Sequence, residues 1–255
     1  MSLLALRHLE LSIAGQPICR ELQLDIRPGE CWGILGRNGV GKTTLLQTLA
    51  GLRAPDGGEV LLQNRPLATL PRQQVARQIG VLFQDNRTLF PASVLESTLI
   101  GRHPWLKRWQ WEGREDVELA LSALRTVDLE GLASRDVTTL SGGEYQRLQI
   151  ATLLTQNPVL SLLDEPINHL DLHHQISILK TLTTGLAARG QAVIMVLHDI
   201  NLAARFCDHL LLLFGNGQSC QGAPTAVLTG DKLQALYGHP LQRLELHGHS
   251  IFVPE

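Results

Sequence analysis

The sequence predicts an α/β fold, in which a parallel sheet with crossover helices is interrupted by a helical insertion. Between residues 158 and 198 an apolar run, an amphipathic helical stretch and a second apolar run follow one another. That alternation is typical of a parallel sheet. Residues 86 to about 156 instead show helical spacing, with apolar side chains at positions such as Val117, Leu121 and Leu124.

The N-terminal part is predicted to form strands before the first helix. Residues 22–26 alternate between apolar and polar side chains, which indicates a half-buried strand. Residues 31–36 (CWGILG) form a short apolar strand that ends in glycine. A helix is expected from about Gly41 until Gly51, because glycine commonly follows the last turn of a helix.

The later elements complete one predicted domain over residues 1–255. Further strands are predicted at residues 59–63, 78–84, 158–164 and 192–197, and a hairpin with an Asn-Gly turn at 209–222. We expect a catalytic α/β core with its β subdomain at 1–85 and 157–240, a helical subdomain at 86–156, and a C-terminal tail at 241–255.

The bulk composition is that of a folded globular protein, with 44% hydrophobic and 18% charged residues. A net charge of −2 gives no reason to expect nucleic-acid binding through bulk charge. The N-terminus has no apolar signal-peptide core, and the longest apolar runs are about six residues, whereas a membrane span needs about 20. The widely spaced cysteines favour a reduced cytosolic setting over a disulfide or metal site; they are Cys19, Cys31, Cys207 and Cys220.

Residues 36–43 (GRNGVGKT) fit a phosphate-binding loop between a strand and a helix. Glycines let backbone N–H groups point at phosphate oxygens, and the helix N-terminus adds partial positive charge. Lys42 would reach the β- and γ-phosphates, and the Thr43 hydroxyl would ligate Mg²⁺. The predicted nucleotide-binding residues are Gly36, Arg37, Asn38, Gly39, Val40, Gly41, Lys42, Thr43 and Thr44.

Polar residues also follow the later apolar strands. Asp164 would lie beside Mg²⁺, and Glu165 would orient and deprotonate a water for attack on the γ-phosphate. The alternative is an acidic strand end that caps the next helix. Gln84 and His198 end two other strands, and ligands gather beyond the carboxyl ends of parallel strands.

A second glycine-rich helix start lies at residues 139–154 (TLSGGEYQRLQIATLL). Ser141 is expected to cap the helix, and two glycines follow in its first turn. Each costs roughly 1 kcal/mol relative to alanine inside a helix. Their presence therefore indicates that another group approaches this backbone closely.

Together these motifs resemble the ATP-binding subunit of an ABC transporter over nearly the whole chain. The matching motifs are Walker A at 36–43, the Q-loop Gln84, the signature LSGGE at 140–144, Walker B ending at Asp164, the base Glu165, the D-loop NHLD at 168–171 and the switch His198. The resemblance implies an ABC ATPase fold, a P-loop NTPase core with an antiparallel β subdomain and a helical insertion. It also implies hydrolysis of ATP with Mg²⁺ held by Thr43, Gln84 and Asp164.

The resemblance further implies partners. Two copies would face head to tail, so that the signature residues serve the other copy's nucleotide, with Asp171 of the D-loop at the same interface. These signature residues are Ser141, Gly142, Gly143 and Glu144. Membrane permease subunits, and indirectly a substrate-binding protein, would complete the assembly at the cytoplasmic face of the inner (cell) membrane, without nucleic acid.

The run LIGRHPWLKRWQW (99–111) and the stretch HLDLHHQ (169–175) resemble importers of iron–siderophore, haem and cobalamin compounds. The alternative to such an importer is a soluble ABC ATPase of iron–sulfur cluster assembly. Trp105 and Trp109 are predicted one helical turn apart. They would either pack the helical insertion or flank the groove for the permease.

Two features depart from the pattern or add to it. The family usually stacks an aromatic residue on adenine, but the corresponding stretch offers Ile13 and Ala14, so affinity would depend mostly on the phosphates. Near the C-terminus lie three histidines, which are either a metal-binding cluster or part of a solvated tail strand; they are His239, His247 and His249.

Overall fold

A computed structural model describes residues 2–83, 91–246 and 248–255. The predicted Q-loop residue Gln84 and the tail residue His247 lie outside these described residues. The strands are β1 (Leu4–Ile13), β2 (Gln16–Ile26), β3 (Cys31–Gly36), β4 (Gly57–Leu62), β5 (Arg65–Pro66), β6 (Ile79–Leu82), β7 (Leu160–Asp164), β8 (Ala192–Val196), β9 (His209–Leu213), β10 (Ser219–Gly222), β11 (Leu241–Leu246) and β12 (His249–Pro254). The helices are α1 (Lys42–Leu49), α2 (Arg72–Gln78), α3 (Val94–Leu99), α4 (Arg114–Thr126), α5 (Gly142–Gln156), α6 (Leu172–Lys180), α7 (Ile200–Phe206), α8 (Pro224–Val227) and α9 (Gly230–Tyr237).

The central sheet confirms the predicted parallel core. Within the described residues its strand order is β10-β9-β3-β8-β7-β6, parallel throughout except for β10. Strands β3, β7 and β8 are buried along their whole length, which explains their continuous apolar sequences. Because β3 and β7 both pair with β8, the segments that follow these strands meet at one edge of the sheet.

A second, antiparallel sheet lies at the N-terminus, with the order β2-β1-β4-β5 in the described part of the chain. Its inward leucines, such as Leu4 and Leu9, are fully buried and share a core with Leu45 and Leu46 of α1. This is the antiparallel β subdomain that the resemblance implies. The helix α1 ends as predicted, because Gly51 follows it with a φ of 69°.

The predicted hairpin near the C-terminus is also present, as β9 and β10. Phe214 and Gln218 continue the pairing through a backbone hydrogen bond of 3.2 Å, so residues 215–217 form the loop. Gly215 and Gly217 adopt φ values of 82° and 86°, a region that glycine enters without steric cost.

The helical insertion contains α3, α4 and α5, which pack on one another around buried residues such as Leu124 and Leu148. One prediction for this region was wrong. Trp105 ends a 3₁₀ helix (Ile100–Trp105) that contains Pro104, and Trp109 has a φ of 70°. The two tryptophans therefore do not share a helix, because the extended backbone at Leu106 ends the 3₁₀ helix and Trp109 is left-handed.

The C-terminal segment is more structured than the predicted tail strand. Residues 241–255 form the β11–β12 hairpin, and Phe252 is buried in the main core. The Asn201 side chain at the start of α7 accepts from Phe252 N at 2.7 Å and donates to Phe252 O at 3.3 Å. Polar alternation along β11, whose residues after Leu241 are exposed, hid this docking from sequence analysis.

The structure also bears on the cysteines and on membrane-spanning helices. The four cysteines, all within the described residues, are free thiols, and three of them are buried. No helix among the described residues has the length and apolar character needed to cross a membrane.

Candidate functional site

The predicted phosphate loop links β3 to α1 at the carboxyl edge of the central sheet. A Cβ at Gly36 would lie 2.8 Å from the Leu213 carbonyl oxygen, and one at Gly41 would lie 2.5 Å from Ile18. Gly41 also has a φ of 102°, where side chains are strained. Packing and backbone conformation thus require glycine at these positions.

Lys42 points back into the loop and is buried. Its Nζ donates to the carbonyl oxygens of Gly36 at 2.8 Å and Arg37 at 3.0 Å. Burial lowers the pKa of Lys42, and the nearby carboxylates of Glu165 and Asp164 act in the opposite direction. The ammonium therefore sits inside a loop whose own carbonyls hold it in place.

Thr43 and Asp164 form the next part of the site. The Thr43 hydroxyl donates to Oδ2 of Asp164, the last residue of β7, at 2.5 Å. Asp164 is only 1% exposed, and its burial raises the pKa of the carboxyl above its usual range, partly opposed by the Thr43 hydrogen bond. Both side chains present hard oxygen donors toward the loop.

Glu165 lies between two side chains at the same edge. Its backbone is left-handed, with a φ of 53°, and the carboxylate is 10% exposed. One carboxylate oxygen contacts His198 Nε2, and the other accepts from the Asn168 side-chain amide. The acidic strand end therefore does not cap the following helix, since Asp171 caps α6 instead.

Of these groups, Lys42, Thr43 and Glu165 line one open cleft of about 560 Å³, whereas Asp164 is not among its described lining residues. It contains much of the predicted loop, two of the predicted catalytic residues and the predicted adenine-side residue; the lining is Ile13, Asn38, Gly39, Gly41, Lys42, Thr43, Thr44, Glu165, Asn168 and His198. Ile13 is 38% exposed at its rim, which fits an apolar contact to a base in place of an aromatic stack.

Asn168 was predicted only as the first residue of the D-loop motif, and the structure gives it a contact in this site. Its amide holds Glu165, and its backbone N–H donates to the Glu165 carbonyl oxygen at 3.2 Å. The D-loop motif did not predict this contact, because the contact depends on the left-handed backbone at Glu165, three residues earlier.

Arg37, predicted among the nucleotide-binding residues, turns away from the cleft. Its guanidinium donates to the Tyr237 carbonyl oxygen at 3.0 Å, at the end of α9. Gly238, with a φ of 73°, makes room for it, because a Cβ there would lie 2.2 Å from the Arg37 side chain. In this structure Arg37 ties the loop to the C-terminal helix.

The signature segment begins α5 as predicted. Ser141 Oγ accepts from Glu144 N at 3.2 Å, and Glu144 returns a carboxylate oxygen to Ser141 N at 2.7 Å, which completes a capping box. Arg135 adds an ion pair to Glu144 at 3.3 Å. The Glu144 side chain is thus engaged in stabilising the helix start of its own chain.

Gly143 supplies the close backbone approach expected at this helix start. A Cβ at Gly143 would lie 3.1 Å from the His169 carbonyl oxygen, so the glycine lets α5 pack on the segment after Glu165. Gln146, one turn on, donates to the Pro166 carbonyl oxygen at 2.9 Å. No signature residue is among the described residues that line the cleft.

Asp171, predicted to act in the D-loop, caps α6 by accepting from His174 N at 2.9 Å. Its carboxylate also contacts His174 Nδ1 at 2.9 Å. The predicted histidine cluster in the tail is only partly covered, since His247 lies outside the described residues. In the described ranges, no group of three His, Cys, Asp or Glu side chains is arranged to hold a metal ion.

Comparison with known proteins places these features in context. A sequence model of the family described as "ABC transporter" matches residues 19–168. A siderophore transport system ATP-binding protein (YusV) of Bacillus subtilis (strain 168) is 39% identical, with 100% of this chain and 93% of that protein covered. A hemin import ATP-binding protein (HmuV) of Pseudomonas entomophila (strain L48) is 40% identical, with 92% of each chain covered.

Solved structures give the same picture. An inward-facing, metal-chelate type ABC transporter superimposes with a TM-score of 0.86 at 28% identity, covering 100% of this chain and 98% of that chain. A dimeric, post-hydrolysis ATP-binding cassette bound to ADP and Pi matches with a TM-score of 0.74 at 28% identity, covering 87% and 98%. None of these relatives is described as an iron–sulfur assembly ATPase, so that alternative has no support here.

Proposed function

We propose that this chain, which belongs to the ABC transporter family, is the ATP-hydrolysing subunit of an importer for a metal chelate, namely a ferric siderophore, haem or cobalamin. The observation that carries the proposal is the position of Glu165. Its carboxylate stands in the phosphate-loop cleft, held by His198 and Asn168. The siderophore and hemin import relatives support the substrate class.

The phosphate loop has groups that suit a nucleoside triphosphate. Lys42 Nζ is held by two backbone carbonyls, and these are weaker acceptors than phosphate oxygens. An incoming phosphate would therefore replace or supplement neutral acceptors with charged ones around an ammonium that is already desolvated. The N-terminus of α1 adds its partial positive charge at the same place.

The Thr43–Asp164 pair fits Mg²⁺ as its companion ion. A hydroxyl and a carboxylate oxygen are the hard donors that Mg²⁺ prefers, and the buried Asp164 carboxylate accepts its hydrogen bond from the neutral Thr43 hydroxyl. When bound, Mg²⁺ would offset the charge of the β- and γ-phosphates. Gln84 is the further predicted ligand.

Glu165 acts as the general base in the proposed reaction. As a water oxygen bonds to the γ-phosphorus, the bond from that phosphorus to the bridging β-oxygen breaks and ADP leaves. The Glu165 carboxylate accepts the water proton, a role typically worth 10²- to 10⁴-fold in rate, on the order of general acid–base catalysis. His198 and Asn168 position the carboxylate by holding both of its oxygens.

We infer that the active unit is a head-to-tail dimer. Within one chain the signature residues stay away from the cleft, yet the N-terminus of α5 offers backbone N–H groups that have no acceptor inside the helix. Phosphate oxygens of a second copy's nucleotide suit these donors. The dimeric ADP-bound relative supports this arrangement.

The remaining partners follow from the import role. Membrane permease subunits would bind the dimer at the cytoplasmic face of the cell membrane, where the chain is peripheral. A substrate-binding protein would contact the permease and not this chain.

The test of catalysis is Glu165→Gln. The amide keeps the shape but cannot accept the water proton, so hydrolysis should fall 10²- to 10⁴-fold, on the order of a lost general base, while ATP binding is retained. The closed dimer should then accumulate with ATP, as measured by size-exclusion chromatography. Glu130→Gln, an exposed surface pair with Arg125, is the matched control. Unchanged turnover in the Glu165 variant would remove this residue as the base.

The test of transport is co-purification with membrane permease subunits, followed by uptake of labelled cobalamin, haem and ferric siderophores. Energy-dependent uptake of one compound, lost in the Glu165 variant, is the expected result. Recovery of the chain only with soluble scaffold proteins would contradict the import function.

A further inference from the structure

The segment that follows the 3₁₀ helix carries two tryptophans on the surface. We name residues 106–112 the tryptophan loop. Trp109 is 88% exposed and Trp111 is 87% exposed, although tryptophan is normally among the most extensively buried side chains on average. Half of the four tryptophans in the chain thus stand in solvent within three residues of each other.

The base of the tryptophan loop is firmly attached to the protein. Arg77 Nε donates to the Pro104 carbonyl oxygen at 2.7 Å, and Trp105 Nε1 donates to the Gln156 carbonyl oxygen at 2.9 Å. The Arg77 guanidinium also lies 5.6 Å from the centre of the Trp105 ring. Trp105, although 38% exposed, is therefore attached to α5 and α2, in contrast to the two tryptophans that follow it.

The loop also holds its own shape. Gln110 N donates to the Lys107 carbonyl oxygen at 2.9 Å, and Lys107 N donates to Gln110 Oε1 at 3.1 Å. This turn fixes the backbone between the base and Trp111. The exposure of the rings consequently belongs to an ordered turn that presents them outward.

The charges beside the rings are cationic. Lys107 and Arg108 are both exposed, and the Arg108 guanidinium lies 5.7 Å from the centre of the Trp109 ring. Against them stands Glu112, which lies 3.8 Å from His103. The loop is therefore locally positive in a chain whose net charge is −2.

We propose that the tryptophan loop inserts into the headgroup region of an anionic phospholipid bilayer. Indole rings combine an apolar body with an N–H donor, which suits the boundary between headgroups and acyl chains. Lys107 and Arg108 would meet the lipid phosphates, since cations near an anionic surface are attracted to it. The inference rests on the proposed function, because a subunit docked on a permease works at a membrane surface.

A protein groove on the permease is the competing partner. The observations favour lipid because the rings project from the surface next to the exposed cations Lys107 and Arg108, a combination that matches an anionic interface. Single exposed apolar residues occur on many surfaces. Two exposed indole rings with adjacent cations instead form a patch that suits a surface both apolar and negatively charged.

The experiment is flotation of the purified full chain with vesicles of equal parts phosphatidylglycerol and phosphatidylcholine, compared with vesicles of phosphatidylcholine alone. The chain should bind the anionic vesicles preferentially. Trp109→Ser with Trp111→Ser should weaken this binding at least about tenfold, the order expected when interfacial anchors are lost. Lys107→Gln with Arg108→Gln should weaken it by a similar factor and reduce its dependence on salt.

The matched control is Leu244→Ser with Leu246→Ser, which removes two exposed apolar side chains from β11 and should leave vesicle binding unchanged. Equal binding by the tryptophan variant and the wild-type chain would overturn the proposal. The proposal would also be overturned if the wild-type chain did not bind vesicles and the tryptophan variant no longer co-purified with the permease. The partner of the loop would then be a protein. ATP hydrolysis is measured in parallel: a chain that hydrolyses ATP but ignores anionic vesicles refutes the loop's role and leaves the proposed function standing.

Discussion

Asp164→Asn should stabilise the nucleotide-free chain while it removes Mg²⁺-dependent hydrolysis. The carboxyl is 1% exposed, and burial raises its pKa despite the Thr43 hydrogen bond and the positive charge of Lys42. A raised pKa in the folded state means that ionisation of Asp164 is less favourable there than in the unfolded chain. At neutral pH the ionised group therefore lowers the free energy of unfolding.

The size of the effect follows from what the substitution keeps. Asparagine retains an oxygen that can accept the Thr43 hydroxyl, so that hydrogen bond, worth about 1 kcal/mol, is preserved. What disappears is the cost of a buried charge. We expect the free energy of unfolding to rise by about 1 kcal/mol, the usual scale of a single stabilising substitution. Each kcal/mol raises the melting temperature by about 2–4 °C in a chain of this size.

The sign of the pH dependence provides a sharper check. Because the folded pKa is raised, the destabilisation by Asp164 is absent below the ordinary value of 3.8 and grows as the pH rises through and above it. The advantage of the variant should be largest at neutral pH and should shrink toward acid pH. Urea unfolding of both nucleotide-free proteins across this range measures it.

Asp116→Asn is the matched control with the opposite expectation. The Gly113 backbone N–H and the Arg102 guanidinium hold the pKa of Asp116 below its usual range, so its ionised form stabilises the fold above that range. This control should lose stability at neutral pH. An Asp164 variant that is less stable than the wild-type chain at neutral pH would refute the reasoning.

Two further predictions concern the nucleotide. Lys42→Ala should reduce ATP affinity by at least about tenfold, because a charge-assisted contact to phosphate is lost; normal affinity in a fluorescent-nucleotide titration would count against the phosphate-loop assignment. Ser141→Arg should cripple hydrolysis without weakening ATP binding to the isolated monomer, and its lost helix cap should cost about 1 kcal/mol in a parallel melt. In mixed dimers with one variant chain, loss confined to that chain's own phosphate loop would argue against a shared site.

The parts of the site that could be predicted from sequence are those in which neighbouring residues determine both the local backbone and the chemistry. The phosphate loop is one, because Gly36 to Thr43 join a strand directly to a helix. Asp164, Glu165 and His198 are others, because each follows a buried strand and parallel strands end at one edge. Their assembly in one place needed only the strand order.

Other features depend on backbone turns or distant contacts that no local pattern encodes. The link between Arg37 and Tyr237 joins segments 200 residues apart. The hold of Asn168 on Glu165 requires the left-handed backbone at Glu165. Glu144 is different, because a serine followed three residues later by glutamate is a readable capping box, and the sequence analysis assigned it to the partner's nucleotide alone.

Helix α5 gives the molecule a lever arm. Its 15 residues, from Gly142 to Gln156, span about 22 Å, and the Gln156 carbonyl oxygen accepts the Trp105 hydrogen bond. A tilt of about 10° at the Ser141 end would displace the Gln156 end by about 4 Å, if the helix stays rigid. Gln156 also donates to the carbonyl oxygens of Ala76 and Ile79, beside the base of the tryptophan loop. Closure of the dimer around a shared nucleotide would thus displace the base of the tryptophan loop.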